Sequence, residues 1–285
     1  MINPRVSVLM PAYNGLPLIR ASIESLLRQT IEDWECIIVN DGSIDGTREY
    51  LDSLNDSRFI IYHFRENKGR PEARQKTLEL ASGEYIAMLD AEDLYHPKKL
   101  ELQLEAFEQH PDVDLVATQM CSFGTKTDIL TIRGSNDDLV QSFTGENVPS
   151  HATVMLRAKR AKGLKYNKSL KLGQDVDFLR RYMKGIKFLT LPFPLYYYSE
   201  YDSVSKKKIK RTYKLNMLKY FKDKEYKNSF VNLLKLIYAI IIYPFIKIET
   251  ILKKRGRALS AEEEKDFQKY CGSIIKEIVR NANCS

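Results

Sequence analysis

The sequence contains few cysteines, and they are scattered along the chain. Four cysteines occur among 285 residues, none with CxxC spacing: Cys36, Cys121, Cys271 and Cys284. This spacing does not indicate a disulfide framework. Cys36 lies in an apolar run that predicts a buried strand. This pattern favours a reduced, cytoplasmic setting.

Long apolar runs are also missing. The opening stretch "MINPRVSVLMPAYNG" has no basic segment followed by an apolar core, so no secretory signal is predicted. The most apolar run, "LIYAIIIYPFI", covers residues 236–246, and its 11 residues are too few for a bilayer crossing, which needs about 20. We therefore expect no transmembrane helix.

The net charge of +8 is distributed unevenly along the chain. Residues 1–110 hold 12 Lys and Arg against 19 Asp and Glu, whereas residues 206–257 hold 16 against 3. With 44% hydrophobic residues the chain can bury a core, so disorder is not its main state. The change in composition predicts a domain over 1–205 and a basic, partly apolar helical extension over 206–285.

The basic extension has two readings. Lysines and arginines around apolar side chains fit a segment that lies on an anionic membrane surface, where each basic residue contributes about 1 kcal/mol. Alternatively, the extension packs on the catalytic domain or on a second copy, and an oligomer stays open. Nucleic acid is not an expected partner, because the N-terminal region is acidic and no nucleic-acid motif occurs.

Short apolar runs alternate with amphipathic stretches in the first 120 residues. The runs have the length and β-branched content of strands: residues 6–10, 36–40, 59–64, 85–89 and 114–118. The stretches between them predict helices at 17–29, 45–54, 71–81 and 97–110. This alternation predicts an α/β fold with a mainly parallel sheet flanked by helices.

Polar clusters follow four of the predicted strands, at the edge where such sheets bind ligands. They are "PAYNG" (11–15), "DGSIDG" (41–46), "ENKGRPEAR" (66–74) and "DAED" (90–93). Each of the first three also fits an ordinary turn, helix cap or loop. The three carboxylates of "DAED" repel one another unless a cation gathers them, although a solvated turn is the alternative.

Taken together, these clusters resemble glycosyltransferase family 2, whose members have the GT-A fold. The matching stretches are "VSVLMPAYNG", "WECIIVNDGSIDGT", "ENKGRPEARQKTLELASGEYIAMLDAEDLYHPKKLELQ" and "GQDVDFLRRYMKG", in family order over roughly residues 4–205. The resemblance implies a Rossmann-like sheet with a nucleotide-sugar half over 1–118 and an acceptor half over 119–205.

The resemblance also implies the residues that bind the donor. The nucleobase is expected to pack on Pro11, Ala12 and Tyr13, with Asn14 continuing that segment. The base or ribose is expected on Asp41, and the base and diphosphate near Asn67 and Arg74, whose planar fork suits phosphate.

"DAED" falls on the family's DxD motif. Asp90 is expected to touch the ribose or the metal, and Glu92 to bind a Mn²⁺ or Mg²⁺ ion that bridges the diphosphate. Glu92 is one methylene longer than the usual aspartate, which leaves the metal geometry open, and Asp93 is a substitute ligand to consider.

On the acceptor side, Asp175 falls on the position of the general base, which would take the proton of the acceptor hydroxyl and cause inversion. Gln174 replaces the usual glutamate. The alternative is that Asp175 only caps a helix over about 175–184. His151 is a candidate for lining the donor pocket or a structural histidine, and Glu200 is a third metal ligand or a surface glutamate.

The favoured interpretation is a metal-dependent inverting glycosyltransferase that uses a UDP-sugar. The resemblance suggests a lipid-linked or polysaccharide glycan as acceptor, and a peripheral location on the inner face of the cell membrane. A nucleotidyltransferase is disfavoured, because "PAYNG" is not a glycine-rich basic loop. A catalytically silent nucleotide-sugar-binding or scaffolding protein stays open because of Glu92 and Gln174.

Overall fold

The computed structural model describes residues 4–124, 127–136, 139–145, 147–170, 172–200, 204–222, 224–272 and 274. Its strands are β1 (Val6–Ala12), β2 (Trp34–Asn40), β3 (Phe59–His63), β4 (Tyr85–Met88), β5 (Leu94–Tyr95), β6 (Val113–Gly124), β7 (Thr127–Arg133), β8 (Gln141–Ser142), β9 (Met155–Arg157) and β10 (Lys187–Tyr198). Its α-helices are α1 (Leu18–Leu27), α2 (Thr47–Asp52), α3 (Arg70–Leu80), α4 (Lys99–Gln109), α5 (Ala158–Lys162), α6 (Gln174–Tyr182), α7 (Lys206–Lys222), α8 (Tyr226–Ile241), α9 (Ile248–Lys253) and α10 (Ala261–Phe267).

The strands form one sheet in the order β3-β2-β1-β4-β9-β6-β10-β5, with β7 beside β6 and β8 beside β10. β1 to β4 are mutually parallel, since β1 lies between β2 and β4 and β2 pairs with β3 in the same direction. The α/β fold with helices around a central sheet is confirmed. All five predicted strands and all four predicted helices of the first 120 residues are present.

The second half of the sheet is mixed rather than parallel. β9 runs antiparallel to β4 and β6, and β5, β7 and β8 are also antiparallel to their partners. Antiparallel strands need no crossover helix, so short segments can fill the edges and gaps of a parallel frame. β5, β8 and β9 have two or three residues each, too few for a periodic pattern.

Helices cover both faces of this sheet. α1 and α4 pack on one face around Trp34 and Phe107, and α3, α5 and α6 pack on the other around Phe178 and Tyr182. Cys36, Cys121 and Cys271 are buried and free, and Cys284 lies outside the described residues.

The predicted extension has two parts. Between residues 206 and 253, α7 and α8 pack against each other, and the Ser229 hydroxyl donates to the Met217 carbonyl at 2.9 Å. The chain then returns to the sheet, where Arg257 exchanges two backbone hydrogen bonds with Ile132, at 2.8 and 3.0 Å. Phe267 packs with Phe123 of β6. The returning part is thus built into the packing of the sheet.

In the part of the chain that the structure describes, no helix combines the length and the apolar content that a bilayer crossing requires.

Candidate active site

The four polar clusters meet at one cavity of about 400 Å³ at the carboxyl ends of β1, β2 and β4. Eight of the predicted site residues line it: Pro11, Ala12, Tyr13, Asn14, Asp41, Asn67, Asp90 and Glu92. Parallel strands bring their carboxyl ends to the same edge, which is why residues 80 positions apart in the chain become neighbours. We call this space the donor cavity.

The loop after β1 is fastened to the loop after β2. Asn14 has a positive φ of 49°, its N–H donates to the Ser43 hydroxyl at 2.8 Å, and its Oδ1 accepts from the Ile44 N–H at 3.0 Å. Asn14 therefore fixes the loop, whereas the ring of Tyr13 stays 48% exposed at the cavity. An exposed aromatic ring on a rigid loop is suited to stacking on a planar base.

Asp41, in the loop after β2, holds the loop after β3 in place by hydrogen bonds. Its carboxylate accepts hydrogen bonds from the backbone N–H groups of Lys68 at 2.7 Å and Gly69 at 2.9 Å. Burial raises the pKa of Asp41, and these two bonds only partly oppose it. The neighbouring Gly42 has a φ of 68°, and a Cβ there would lie 2.5 Å from the backbone carbonyl carbon of Glu66, so the loops meet only with glycine at this position.

The three carboxylates after β4 have different surroundings. Asp93 is fully buried and accepts from the Tyr196 hydroxyl at 2.6 Å and from the Ser199 N–H at 2.8 Å. Both of its oxygens thus hold the end of β10 in place. Asp90 and Glu92 line the cavity instead, which makes them the better pair of candidate metal ligands.

Arg74 lies between Asp90 and Asp175. The guanidinium of this buried residue lies 3.2 Å from Asp90 and 3.7 Å from Asp175, measured from Nη2 and Nη1 to the carboxylate oxygens. Burial disfavours ionisation of both acids, but Arg74 together with further charges and hydrogen bonds outweighs this effect, so the pKa of each acid is lowered. The expected diphosphate ligand is therefore also the link between the DxD motif and the proposed base.

The pKa of Glu92 is shifted in the opposite direction, upward. Burial, and then the negative charge of Asp90, raise its pKa. Arg70, the first residue of α3, lines the cavity and its charge acts on both carboxylates. Sequence reasoning missed Arg70, although its place directly before Pro71 at a helix start was a usable signal. The pair Asp90 and Glu92 thus carries repulsion that an added cation would relieve.

Asp175 lies in the first turn of α6. The N-cap residue is Gly173, with a φ of 73°, so Asp175 is not the N-cap residue of this helix. Its Oδ1 accepts from the Val176 N–H at 2.8 Å, and its other oxygen faces Arg74. Gln174 is buried at the start of the helix.

His151 is buried beside these acids and is not among the residues that line the donor cavity. Its Nε2 is 2.8 Å from the hydroxyl of Tyr166, whose ring stacks on Phe178 at 4.3 Å. Burial, with Arg74, lowers the pKa of His151 to about 3, so the ring is neutral. This geometry favours the structural reading of His151.

Glu200 is not a surface residue. It is fully buried, and its carboxylate lies 3.1 Å from Arg133 and 2.7 Å from Arg255. It is not among the residues lining the donor cavity, although the adjacent Ser199 is. Its role as a metal ligand stays a prediction, and two guanidinium groups already neutralise it. No sequence pattern pointed to Arg255, which is 55 positions away.

A second cavity, of about 460 Å³, lies beside the turn that carries His151. Ser150 and Thr153, which flank this turn, contribute to its wall. The rest of the wall combines apolar side chains, such as Met120 and Val148, with hydroxyl, amide and aromatic side chains, including Thr118, Gln141, Asn147 and Phe188. Arg133 is its one cationic lining residue among those described.

The model of the family described as Glycosyl transferase family 2 matches residues 7–168. An uncharacterized glycosyltransferase of Methanocaldococcus jannaschii is 31% identical over 260 residues, covering 86% of this chain and 90% of that protein. A UDP-Glc:alpha-D-GlcNAc-diphosphoundecaprenol beta-1,3-glucosyltransferase of Escherichia coli is 41% identical over 99 residues, covering 35% of this chain and 39% of that protein.

Solved structures share the fold. S. aureus TarS 1-349 in complex with UDP-GlcNAc has a TM-score of 0.59 at 20% identity, covering 96% of this chain and 81% of that chain. A mannosyltransferase of Pyrobaculum calidifontis in complex with GDP-Man and Mn²⁺ has a TM-score of 0.58 at 17% identity, covering 98% and 87%. At these identities the likeness is one of fold.

Proposed function

The chain belongs to glycosyltransferase family 2, and on that premise we propose that this glycosyltransferase is metal-dependent and inverting. It moves a sugar from a nucleoside-diphosphate donor, a UDP-sugar, to a hydroxyl of a glycan acceptor. The observation that carries the proposal is the placement of Asp90 and Asp175 on either side of Arg74, at 3.2 and 3.7 Å. A leaving-group site and a proton-accepting site are thereby brought to one place.

The donor cavity supports a nucleotide sugar. Its roughly 400 Å³ lies within the range of small-molecule sites. Tyr13 offers a ring for the base, and Arg70 lies where it can meet the diphosphate. The names of the E. coli relative and of the TarS complex contain a UDP-sugar, which favours uracil over the guanine of the P. calidifontis complex.

Asp90 and Glu92 fit a hard divalent cation. Among the described residues no group of three or more metal-ligating side chains occurs, so the protein offers two carboxylates and leaves room for phosphate oxygens and water. Mg²⁺ and Mn²⁺ sites of nucleotide enzymes are commonly built this way. When bound, the ion neutralises the negative charge of the departing nucleoside diphosphate. The Mn²⁺ in the P. calidifontis complex supports the same reading.

Asp175 accepts the proton of the attacking hydroxyl. Its lowered pKa keeps it ionised at neutral pH, which a general base requires. The hydroxyl oxygen attacks the anomeric carbon from the side opposite the diphosphate, the bond to the diphosphate breaks, and the configuration inverts. Arg74 holds Asp175 in place while it does so.

The second cavity is the proposed place of the acceptor. Hydroxyl and amide side chains match the hydrogen-bonding groups of a sugar, and Phe188 offers an apolar surface for a ring face. The E. coli relative acts, by its name, on a diphosphoundecaprenol-linked sugar. We therefore propose a lipid-linked or polysaccharide glycan as acceptor, and a cytoplasmic protein bound peripherally to the inner face of the cell membrane.

Slow donor hydrolysis tests the reaction before the acceptor is known. Purified chain is incubated with UDP-glucose, UDP-GlcNAc or GDP-mannose and Mn²⁺, and release of the nucleoside diphosphate is measured. Asp175→Asn is expected to lower the rate by about 10²- to 10⁴-fold while UDP still binds, because only the base is lost. Asp177→Asn is the matched control, since Asp177 pairs with Arg181 on the same helix, at 2.7 Å.

Three results bear on this proposal. Loss of turnover in chelator and its return with Mn²⁺ support the metal. Equal loss in Asp175→Asn and Asp177→Asn contradicts the role of Asp175. Tight UDP binding without turnover of any donor supports the silent binding protein that Glu92 and Gln174 left open.

A further inference from the structure

Helix α8 carries its large apolar side chains on the outside. Its buried residues are the small or polar Ser229, Asn232 and Ala239. Its exposed residues include Tyr226, Phe230, Leu233, Leu234, Ile237, Ile240 and Ile241. These exposed positions are three or four apart, so they share one stripe of the helix. A helix packed in a water-soluble core has the inverse arrangement.

The stripe continues beyond α8. Phe245, in the turn that follows, is 87% exposed, and Leu218 and Phe221 near the end of α7 are also exposed. We call the α8 stripe together with Phe245 the apolar face. Contiguous exposed apolar surface of this kind marks an interaction site.

The surroundings of the apolar face are strongly basic. The 17 residues of α7, "KKKIKRTYKLNMLKYFK", hold eight Lys and Arg and no acid, and the 16 residues of α8 hold Lys227 and Lys235 and no acid. Lys207, Arg211 and Lys214 are exposed on α7. The partner must therefore be apolar and anionic together.

A second copy of the chain does not meet this requirement. A symmetric contact puts the same patch on both sides, so two apolar faces in contact would bring two basic helices together. Like charges held close oppose association. A lipid bilayer with anionic headgroups offers acyl chains directly beneath a layer of negative charge.

We propose that α7, α8 and Phe245 form a surface that docks on an anionic lipid bilayer. α8 lies in the plane of the interface with its apolar face among the acyl chains, and the basic residues of α7 contact headgroup phosphates. α8 has 16 residues and extends for about 24 Å, so it lies on the bilayer rather than crossing it. The inference rests on the membrane location proposed above and adds the surface and the lipid chemistry.

Vesicle cosedimentation of the full chain tests the proposal, without donor or metal. The probes are vesicles of phosphatidylglycerol with phosphatidylcholine and vesicles of phosphatidylcholine alone. We expect binding to the anionic vesicles that weakens as salt is added. The triple variant Leu234→Gln, Ile237→Gln, Ile241→Gln should bind at least about tenfold more weakly, because it removes apolar area from the face.

Two more variants complete the test. Lys207→Gln with Lys214→Gln, which removes two exposed charges of α7, should weaken binding to the anionic vesicles by about tenfold or more. Phe193→Gln is the matched control, since Phe193 is an exposed aromatic residue on β10, away from α8, and its binding should equal that of the parent chain. An unchanged melting temperature shows that each variant folds.

The proposal is overturned if the parent chain binds neither kind of vesicle, binds both equally, or keeps its affinity in the triple variant. A parent dimer that becomes a monomer in the triple variant, without vesicle binding, assigns the face to a second copy instead. UDP release measured without vesicles should be the same in the triple variant and the parent chain. Failure of the reaction and failure of the docking are therefore separate results.

Discussion

Arg74 is the residue on which the charge balance of the site depends. It is buried, and two partly buried carboxylates face it. Burial raises the cost of each charge, so the three groups are stable only as a set. The sequence placed Arg74 at the diphosphate by resemblance, but nothing in the sequence showed that it also reaches Asp175, 101 positions away.

Arg74→Met is expected to lower the free energy of unfolding by about 1–3 kcal/mol, because two partly buried acids lose a buried counterion. UDP with Mn²⁺ should restore part of that loss, since the cation takes over the neutralisation of Asp90. Urea denaturation with and without ligand measures both effects.

Arg181→Met is the control for Arg74→Met. Arg181 is itself one-third exposed, unlike the buried Arg74, so the expected change is below about 1 kcal/mol. Similar losses in the two variants would contradict the special role of Arg74.

The burial of Lys99 makes the free energy of unfolding depend on pH. It is fully buried, its Nζ donates to Gln103 at 2.6 Å and lies 4.3 Å from the ring of Tyr95, and burial lowers its pKa to about 7. Between that value and the ordinary 10.5 the unfolded chain binds one more proton than the folded chain. The contribution of Lys99 to the free energy of unfolding therefore rises with pH in this window.

Lys99→Met should remove this rise, which amounts to about 2 kcal/mol between about pH 7 and 9. The free energy of unfolding, measured by urea denaturation across that window, should become flatter by this amount. Lys98→Met, at an exposed neighbouring position, should keep the slope of the parent chain. A slope in Lys99→Met equal to that of the parent would assign the pH dependence to another group.

At the level of elements, the sequence predicted what local patterns encode. β1 to β4, β6 and α1 to α4 have enough residues for a periodic signal, and the polar clusters at their ends pointed to the donor cavity. The periodic signal missed β5, β8 and β9, which have two or three residues each, and no strand was predicted for β7 or β10, which lie beyond residue 120. Glu200 could not be interpreted from sequence, because its two arginine partners come from distant segments.

The contact between Glu200 and Arg255 joins the returning segment to the donor cavity through Ser199. Arg255→Met should lower the free energy of unfolding by about 1–2 kcal/mol, since Glu200 keeps Arg133 as a partner. Donor affinity should fall as well, because Ser199 lines the cavity. Thermal melting and the KM for the donor measure these effects.

Lys254→Met, an exposed neighbour of Arg255, is the control and should change neither quantity. A loss of stability in Arg255→Met with an unchanged KM would limit Arg255 to a structural role.

On the scale of the whole molecule, a ligand in the donor cavity contacts loops at one edge of the sheet. Its binding therefore stabilises the whole folded domain against unfolding. At 100 times its dissociation constant, a nucleotide contributes about 2.7 kcal/mol, which corresponds to several degrees in melting temperature. We expect UDP with Mn²⁺ to raise the melting temperature more than GDP with Mn²⁺, and chelator to reduce the shift. A larger shift with GDP would contradict the proposed donor class.

The uneven distribution of charge was visible in the sequence, but the surface formed by the basic helices was not. Composition distinguished residues 206–285 from the rest of the chain. The structure divides this region further, into exposed helices and a segment that pairs with β7. The outward orientation of the apolar residues of α8 is visible only in the folded structure.

The pairing of Arg257 with Ile132 means that the exposed helices are attached to the sheet at both of their ends, through β10 and through β7. A segment with two anchors cannot swivel as one with a single tether can. Whatever surface holds α8 therefore sets the direction in which the donor cavity opens, and with it the height at which an acceptor hydroxyl has to be presented.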